Sequence, residues 1–204
     1  MPLPLRDFVQ QVLLENDRAS KVFVAIHKAW ASAVLQYPQR ARWLRKSTFR
    51  GIVWEEAIKE LHTLALEDPG FKLVPHRDTI SFILEDAVLF RFKHADLSLA
   101  TSNYPTPEAR AFDEHDIDLY GFSGLQRVEL CYVLNEFETA IVWVGVSARA
   151  NGEWLWKIEL GTTGVVNQVA EPDLFEESLD PQRLASLKQS KPDSEAKEQK
   201  KRDG

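Results

Sequence analysis

The sequence predicts an α+β domain in which N-terminal helices pack on a five-stranded, mainly antiparallel sheet. Three observations carry that prediction. Apolar residues recur at helical spacing as far as about position 65, β-branched and aromatic runs replace them from Thr79 onward, and short turns separate the last three runs. A doubly wound parallel fold needs a helical crossover between such strands, and none is written there.

The first helical stretch spans 5–37, with Leu5, Phe8, Val9, Val12 and Leu13 followed by Val22, Phe23, Ile26, Trp30, Ala33, Val34 and Tyr37. Asn16 and Asp17 interrupt it, so it reads as one long helix or two in succession, ended by Pro38. Beyond a basic connector, Ser47 or Thr48 is placed to cap a further helix. Its stripe is Trp54, Ile58, Leu61 and Ala65, widened by Val53 and Ala57, and Asp68, Pro69 and Gly70 stop it.

Strands are expected at 79–84, 87–93, 126–134, 140–148 and 153–160. Glu85 and Asp86 have the length of a tight hairpin connection, and Asn151–Gly152 is the strongest hairpin signal because both residues tolerate positive φ. The second strand alternates Val88, Phe90 and Phe92 on one face with Leu89, Arg91 and Lys93 on the other. That pattern is a half-buried strand with its cationic side open to water. Trp154 and Trp156, at period two, share a face and pack in the core with Trp143 on the neighbouring strand. The connection 96–125 is long and holds one short helix near 107–114, which marks it for function or mobility.

Residues 1–160 thus form a single α+β domain, with a helical part at 1–68 and a sheet part at 79–160. Residues 161–204 read as a flexible charged tail, in which 173–187 has helical character broken by Pro181 and 190–204 holds no apolar residue larger than alanine.

A chain of 204 residues with 44% hydrophobic content can bury one sizeable core. No run approaches the roughly 18 to 20 apolar residues of a membrane span, and the N-terminus lacks a basic segment followed by an apolar one, so a cytoplasmic protein is expected. Cys131 stands alone, which excludes an internal disulfide and a multi-thiolate metal site and makes a buried, inert thiol the expectation. The net charge of −6 conceals a division. Residues 1–60 hold ten Lys/Arg against six Asp/Glu, whereas 61–160 hold eight against sixteen. A uniformly basic nucleic-acid coat is excluded, while a basic face on the N-terminal part is allowed.

Several groupings bear on chemistry. Asp113, Glu114, His115, Asp116 and Asp118, with His94 and Asp96, offer oxygen and imidazole ligands, but their spacing matches no ligand motif and no metal is expected. Glu85, Asp86 and Glu129 could serve a metal-dependent nuclease, yet the acidic-x-lysine triplet is missing because Leu130 and Cys131 follow Glu129. Nucleophile triads, the phosphate loop and the dinucleotide glycine fingerprint have no match, and no cofactor or catalytic residue is expected. The connector places Arg40, Arg42, Arg45, Lys46 and Arg50 within eleven residues, interleaved with Trp43 and Phe49. Guanidinium groups beside rings suit an acidic protein partner, or phosphates and stacked bases.

The strand carrying Arg91, Phe92 and Lys93, followed by Asp96, runs into Asn103, Tyr104, Pro105 and Thr106; Tyr132 and Leu134 and the stretch from Trp156 to Leu160 come later. In this order of features, over about 35–160, the chain resembles a bacterial family of uncharacterised proteins. This chain has a longer loop after Lys93 and an additional charged tail. Members are similar to proteins encoded beside helix-turn-helix regulators with a zinc-peptidase-like domain. The resemblance implies a toxin and antitoxin pair or phage-related regulation, and no catalytic residues come with it. The expectation is therefore an interaction module with a protein partner, such as a helix-turn-helix regulator. Its interaction residues are Arg91, Lys93, Asp96, Asn103, Tyr104 and Thr106, beside the basic face. The alternatives are an enzyme acting on nucleic acid or nucleotide through the Arg91, Lys93 and Asn103 region, and a structural phage or prophage protein.

Overall fold

A computed structural model of the chain describes residues 3–76, 79–101, 107–115, 118–150 and 153–166. They fall in one compact unit, Met1–Asn167. The expectations placed on Asn103, Tyr104 and Thr106, on the Asn151–Gly152 turn and on 167–204 lie outside the described residues.

The described helices are α1 (Arg6–Leu14), α2 (Arg18–Gln36), α3 (Lys46–Glu67) and α4 (Pro107–Glu114). The described strands are β1 (Phe71–His76), β2 (Thr79–Leu84), β3 (Val88–Ala95), β4 (Gln126–Leu134), β5 (Ile141–Ala150), β6 (Glu153–Gly161) and β7 (Gly164–Val166). The protein is α+β, with α1 to α3 preceding a sheet whose spatial order follows the chain from β1 to β7.

Asn16 and Asp17 divide the first helical stretch into two helices, with φ of 53° and 55°. Asn and Asp tolerate this left-handed region because their short side chains bond locally. Helix α3 begins one residue before the expected cap. Arg45 holds the N-cap position without a side-chain cap, and Ser47 instead accepts a 2.9 Å hydrogen bond from Arg45 Nε. The buried face of α3 is Phe49, Val53, Ala57, Ile58 and Leu61, turned slightly from the expected stripe so that Trp54 and Ala65 sit at its margin. Asp68 ends α3 as expected, its amide bonded to Leu64 O at 3.0 Å.

Among the described residues the sheet has seven strands rather than five. Strand β1 contains Pro75 and polar residues that mask its pattern, and it can hold a proline because it is an edge strand. Strand β7 is only three residues long. The sheet is also not a simple up-and-down meander. Strands β3 and β4 run parallel, from Val88 opposite Gln126 to Ala95 opposite Val133, while every other neighbouring pair is antiparallel. A parallel pair needs a crossover of a dozen or more residues, and the 96–125 connection supplies it.

The helices cover one face. Alanines 19, 25, 29 and 33 of α2 are buried and let that helix approach closely, against a core that includes Phe82, Phe90, Phe92, Tyr132, Val146 and Ile158. The opposite, outer face is covered too. Ile83 and Leu89 pack there with Phe112 of α4 and Leu125, so β3 is buried on both faces instead of one. The tryptophans of β6 part company. The register shifts between Ala148, opposite Trp156, and Arg149, opposite Trp154, which places an extra residue, Leu155, in β6. Trp156 packs on the helix-side core and donates to Pro4 O at 2.7 Å, whereas Trp154 lies beneath the Arg149 guanidinium, 5.8 Å from its carbon. Among the described residues no helix is long and apolar enough to cross a membrane.

One buried cation joins the layers. Arg18, 2% exposed, donates through Nε to Asp68 Oδ2 at 2.5 Å and through Nη2 to Asp68 Oδ1 at 3.0 Å. It also bonds to Glu85 and, at 3.3 Å, to Val12 O. Its hydrogen bond holds the Asp68 carboxyl below the usual carboxylate range. Because the folded value lies below the unfolded one, this contribution is complete above the unfolded pKa of about 3.9 and is lost as pH falls through the folded value. Replacing Arg18 by alanine strands the Asp68 carboxylate, and a loss of about 3 kcal/mol is expected in urea unfolding at neutral pH. Asp68→Asn should flatten the acid limb of stability below about pH 4. An Arg18→Ala variant within about 0.5 kcal/mol of the parent would show that the pairing is idle.

Candidate functional site

Two places hold the residues singled out by sequence, and the fold treats them differently. On the outer sheet face the register lines up Ser81, Arg91, Glu129, Ser147 and Lys157 across β2 to β6, with Lys93 beside Cys131 in the next row. Directly opposed side chains in such rows are close enough to interact. Glu129 is 5% exposed, and its two carboxylate oxygens accept from Thr101 Oγ1 at 3.1 and 2.9 Å. Burial pushes the Lys93 amine below its usual value, Glu129 draws it back up, and Arg91 lowers it again. Burial likewise raises the Cys131 thiol, with Glu129 acting in the same direction, so the thiol stays neutral.

The cations of this face fasten its cover. Arg91 donates to Tyr120 Oη at 3.2 Å, and its guanidinium carbon stands 4.1 Å from the Phe112 ring centroid. Arg127, 1% exposed, donates to the Ala111 carbonyl. The cationic side of β3 is therefore not open to water as expected. Crossing segments lie over it, and Arg91 and Lys93 are half-buried.

The acidic and imidazole grouping is dispersed. His115 is 2% exposed with Nε2 2.9 Å from Arg149 O, and Asp118 accepts from Gly124 N at 3.1 Å. Asp96 closes its own loop, accepting from Ser98 N, Ser98 Oγ and Ala100 N at 2.8, 2.6 and 3.0 Å, and the Ser98 hydroxyl above all holds its carboxyl below the ordinary value. Asp116 lies outside the described residues. Among the described residues no three His, Cys, Asp or Glu are grouped to share an ion.

The second place is the end of the sheet where β3 and β4 finish. There the basic connector meets the β4–β5 turn. Arg50 Nη2 and Lys46 Nζ approach Glu138 Oε1 at 2.5 and 3.8 Å. Glu138 has φ of 53° in a turn braced by Asn135, whose Oδ1 accepts from Thr139 N at 2.7 Å and Ala140 N at 3.3 Å. His94 belongs to this end as well. Burial lowers its imidazole pKa and Arg50 lowers it further, while Glu138 and Asp96 oppose both.

The connector rings are committed inward. Trp43 packs edge-on against Tyr37 and Phe49, Phe49 packs against Trp30, and Arg40 lies over Phe49 at 5.1 Å. They are not free to stack on bases. Leu44, between Arg42 and Arg45, is instead wholly exposed at 104%, and Phe137 of the facing turn is 76% exposed. Sequence reasoning passed over Leu44, Phe137 and Glu138. The available signal was an aromatic residue flanked by acids inside a turn.

Searches against protein-family models, curated proteins and solved structures find no match to this chain.

The electrostatics of the outer face can be read directly. Since Glu129 is what draws the Lys93 amine upward, Glu129→Gln should lower that pKa further, measured by NMR titration of the labelled lysine. An unchanged or higher value would mean that the two groups do not sense each other.

Proposed function

We propose that this chain is a protein-interaction module that works by binding, and that its binding surface is the rim formed by the basic connector and the β4–β5 turn. One observation carries the reading: Leu44 stands in water among the connector cations and Phe137 in water on the turn that Glu138 ties to them, while the connector's rings are packed away. A lone exposed leucine is ordinary, but two large apolar side chains on elements tied together by Glu138 make a surface that a partner can desolvate. Large apolar side chains ringed by charged groups have the layout of a small interface, with an apolar centre and a polar edge.

The resemblance to a family encoded beside helix-turn-helix regulators names the first partner to try, the product of the neighbouring gene. A second reading, an enzyme acting on nucleic acid or nucleotide through Arg91, Lys93 and Asn103, draws support from the depressed Lys93 amine beside Glu129. It is weakened because Arg91 is engaged with Phe112 and Tyr120.

Co-expression with the neighbouring gene product should yield a stable complex. The double variant Leu44→Asp with Phe137→Asp, at unchanged melting midpoint, should weaken it by about 2 kcal/mol or more, which is roughly 30-fold in Kd. A complex indifferent to both substitutions would remove the rim from the interface. Turnover of a nucleotide substrate abolished by Lys93→Ala would favour the enzyme.

A further inference from the structure

Resting on that reading, we propose that the segment seated at the rim is an acidic stretch of the partner protein carrying one apolar anchor. The anchor sits on Leu44 and Phe137, and its flanking carboxylates meet Arg42 and Arg45.

The charge balance of the rim supports this. Residues 38–50 contain Arg40, Arg42, Arg45, Lys46 and Arg50 and no acid, and the facing turn returns only Glu136 and Glu138. Glu138 is spent on Arg50 and Lys46, and Arg40 is held over Phe49. Among the described residues Arg42 and Arg45 pair with no carboxylate, and both are exposed. The rim is thus locally cationic on a chain whose net charge is −6. Forked guanidinium groups beside an apolar step suit carboxylates that flank a leucine or phenylalanine.

Two other anionic occupants fit less well. A nucleic acid would need an open ring to stack on, but Trp43 and Phe49 are packed and Phe137 is flanked by Glu136 and Glu138, whose carboxylates repel phosphate. The same two carboxylates oppose an anionic lipid surface at the point where Phe137 would have to enter it. A protein segment can place its anchor between these acids and its own acids over the arginines.

The test uses the isotopically labelled full chain and a short blocked peptide of glutamates flanking a Leu–Phe pair. The amides of 42–46 and 136–138 should shift on titration, and the affinity should fall with rising salt. Replacing the Leu–Phe pair by Ala–Ala, or combining Leu44→Ala with Phe137→Ala in the protein, should cost about tenfold in affinity. Combining Arg42→Glu with Arg45→Glu should cost about as much again. Both sets of substitutions lie on exposed positions, and an unchanged melting midpoint certifies the fold. Equal binding of the Ala–Ala peptide would overturn the anchor. An oligonucleotide of equal charge, or phosphatidylserine vesicles, binding the same amides more tightly than the peptide would overturn the partner class while leaving the rim a binding surface. No shift at the rim with the peptide would overturn the inference itself, and the co-expression experiment then decides separately whether the rim binds a partner of other chemistry.

Discussion

The fold turns on the guanidinium of Arg18. It emerges from the first turn of α2 and meets, in one buried place, the end of α1 through Val12, the end of α3 through Asp68, and the β2–β3 turn through Glu85. The same place holds the chain reversal from helix to sheet. Asp68 Oδ1 also accepts from Gly70 N at 2.9 Å, and Gly70 O accepts from Glu85 N at 2.8 Å. A Cβ at Gly70 would meet the ends of the Glu85 and Arg18 side chains, which would have to shift to admit it. A buried cation that keeps three carboxylates, Glu15 at 3.4 Å included, and a carbonyl in register sets how the helical layer sits on the sheet, since the apolar contacts around it are not directional.

The parallel pairing of β3 and β4 follows a different logic. Parallel neighbours require the chain to leave one end of the sheet and return to the other, and the returning segment then covers the outer face. Arg91 and Arg127 make that cover specific by gripping Phe112, Tyr120 and the Ala111 carbonyl. Arg91, a candidate interaction residue in the sequence, is in this way drawn into architecture. The two arginines of the outer face are held by the crossover, and Glu129, at the centre of the row, accepts from Thr101.

What the architecture leaves over is at the sheet end. In the β4–β5 turn Asn135 accepts from the Thr139 and Ala140 amides, and Glu138 ties the turn to the start of α3. Glu138 thereby joins the turn bearing the exposed Phe137 to the cationic start of α3, and Leu44 is exposed on the connector just before that helix. The turn side of the proposed surface is built on braced backbone, so a partner would have little ordering to impose there.

By itself the sequence determined the α+β class, the stop at Asp68 to Gly70 and the two faces of β3, and it marked Asn16 and Asp17 as the place where one helix or two was to be decided, because these depend on local backbone preference and on periodicity over neighbouring residues. It concealed β1, where Pro75 interrupts the pattern, and β7, which is too short to have one. Only the tertiary structure decided that β3 and β4 run parallel, that Leu155 separates the surroundings of Trp154 and Trp156, and that Arg91 is engaged while Arg42 is not. Alternation along a strand states which side a residue faces, but whether that side meets water or another segment depends on groups brought from dozens of residues away, and no local pattern encodes their arrival.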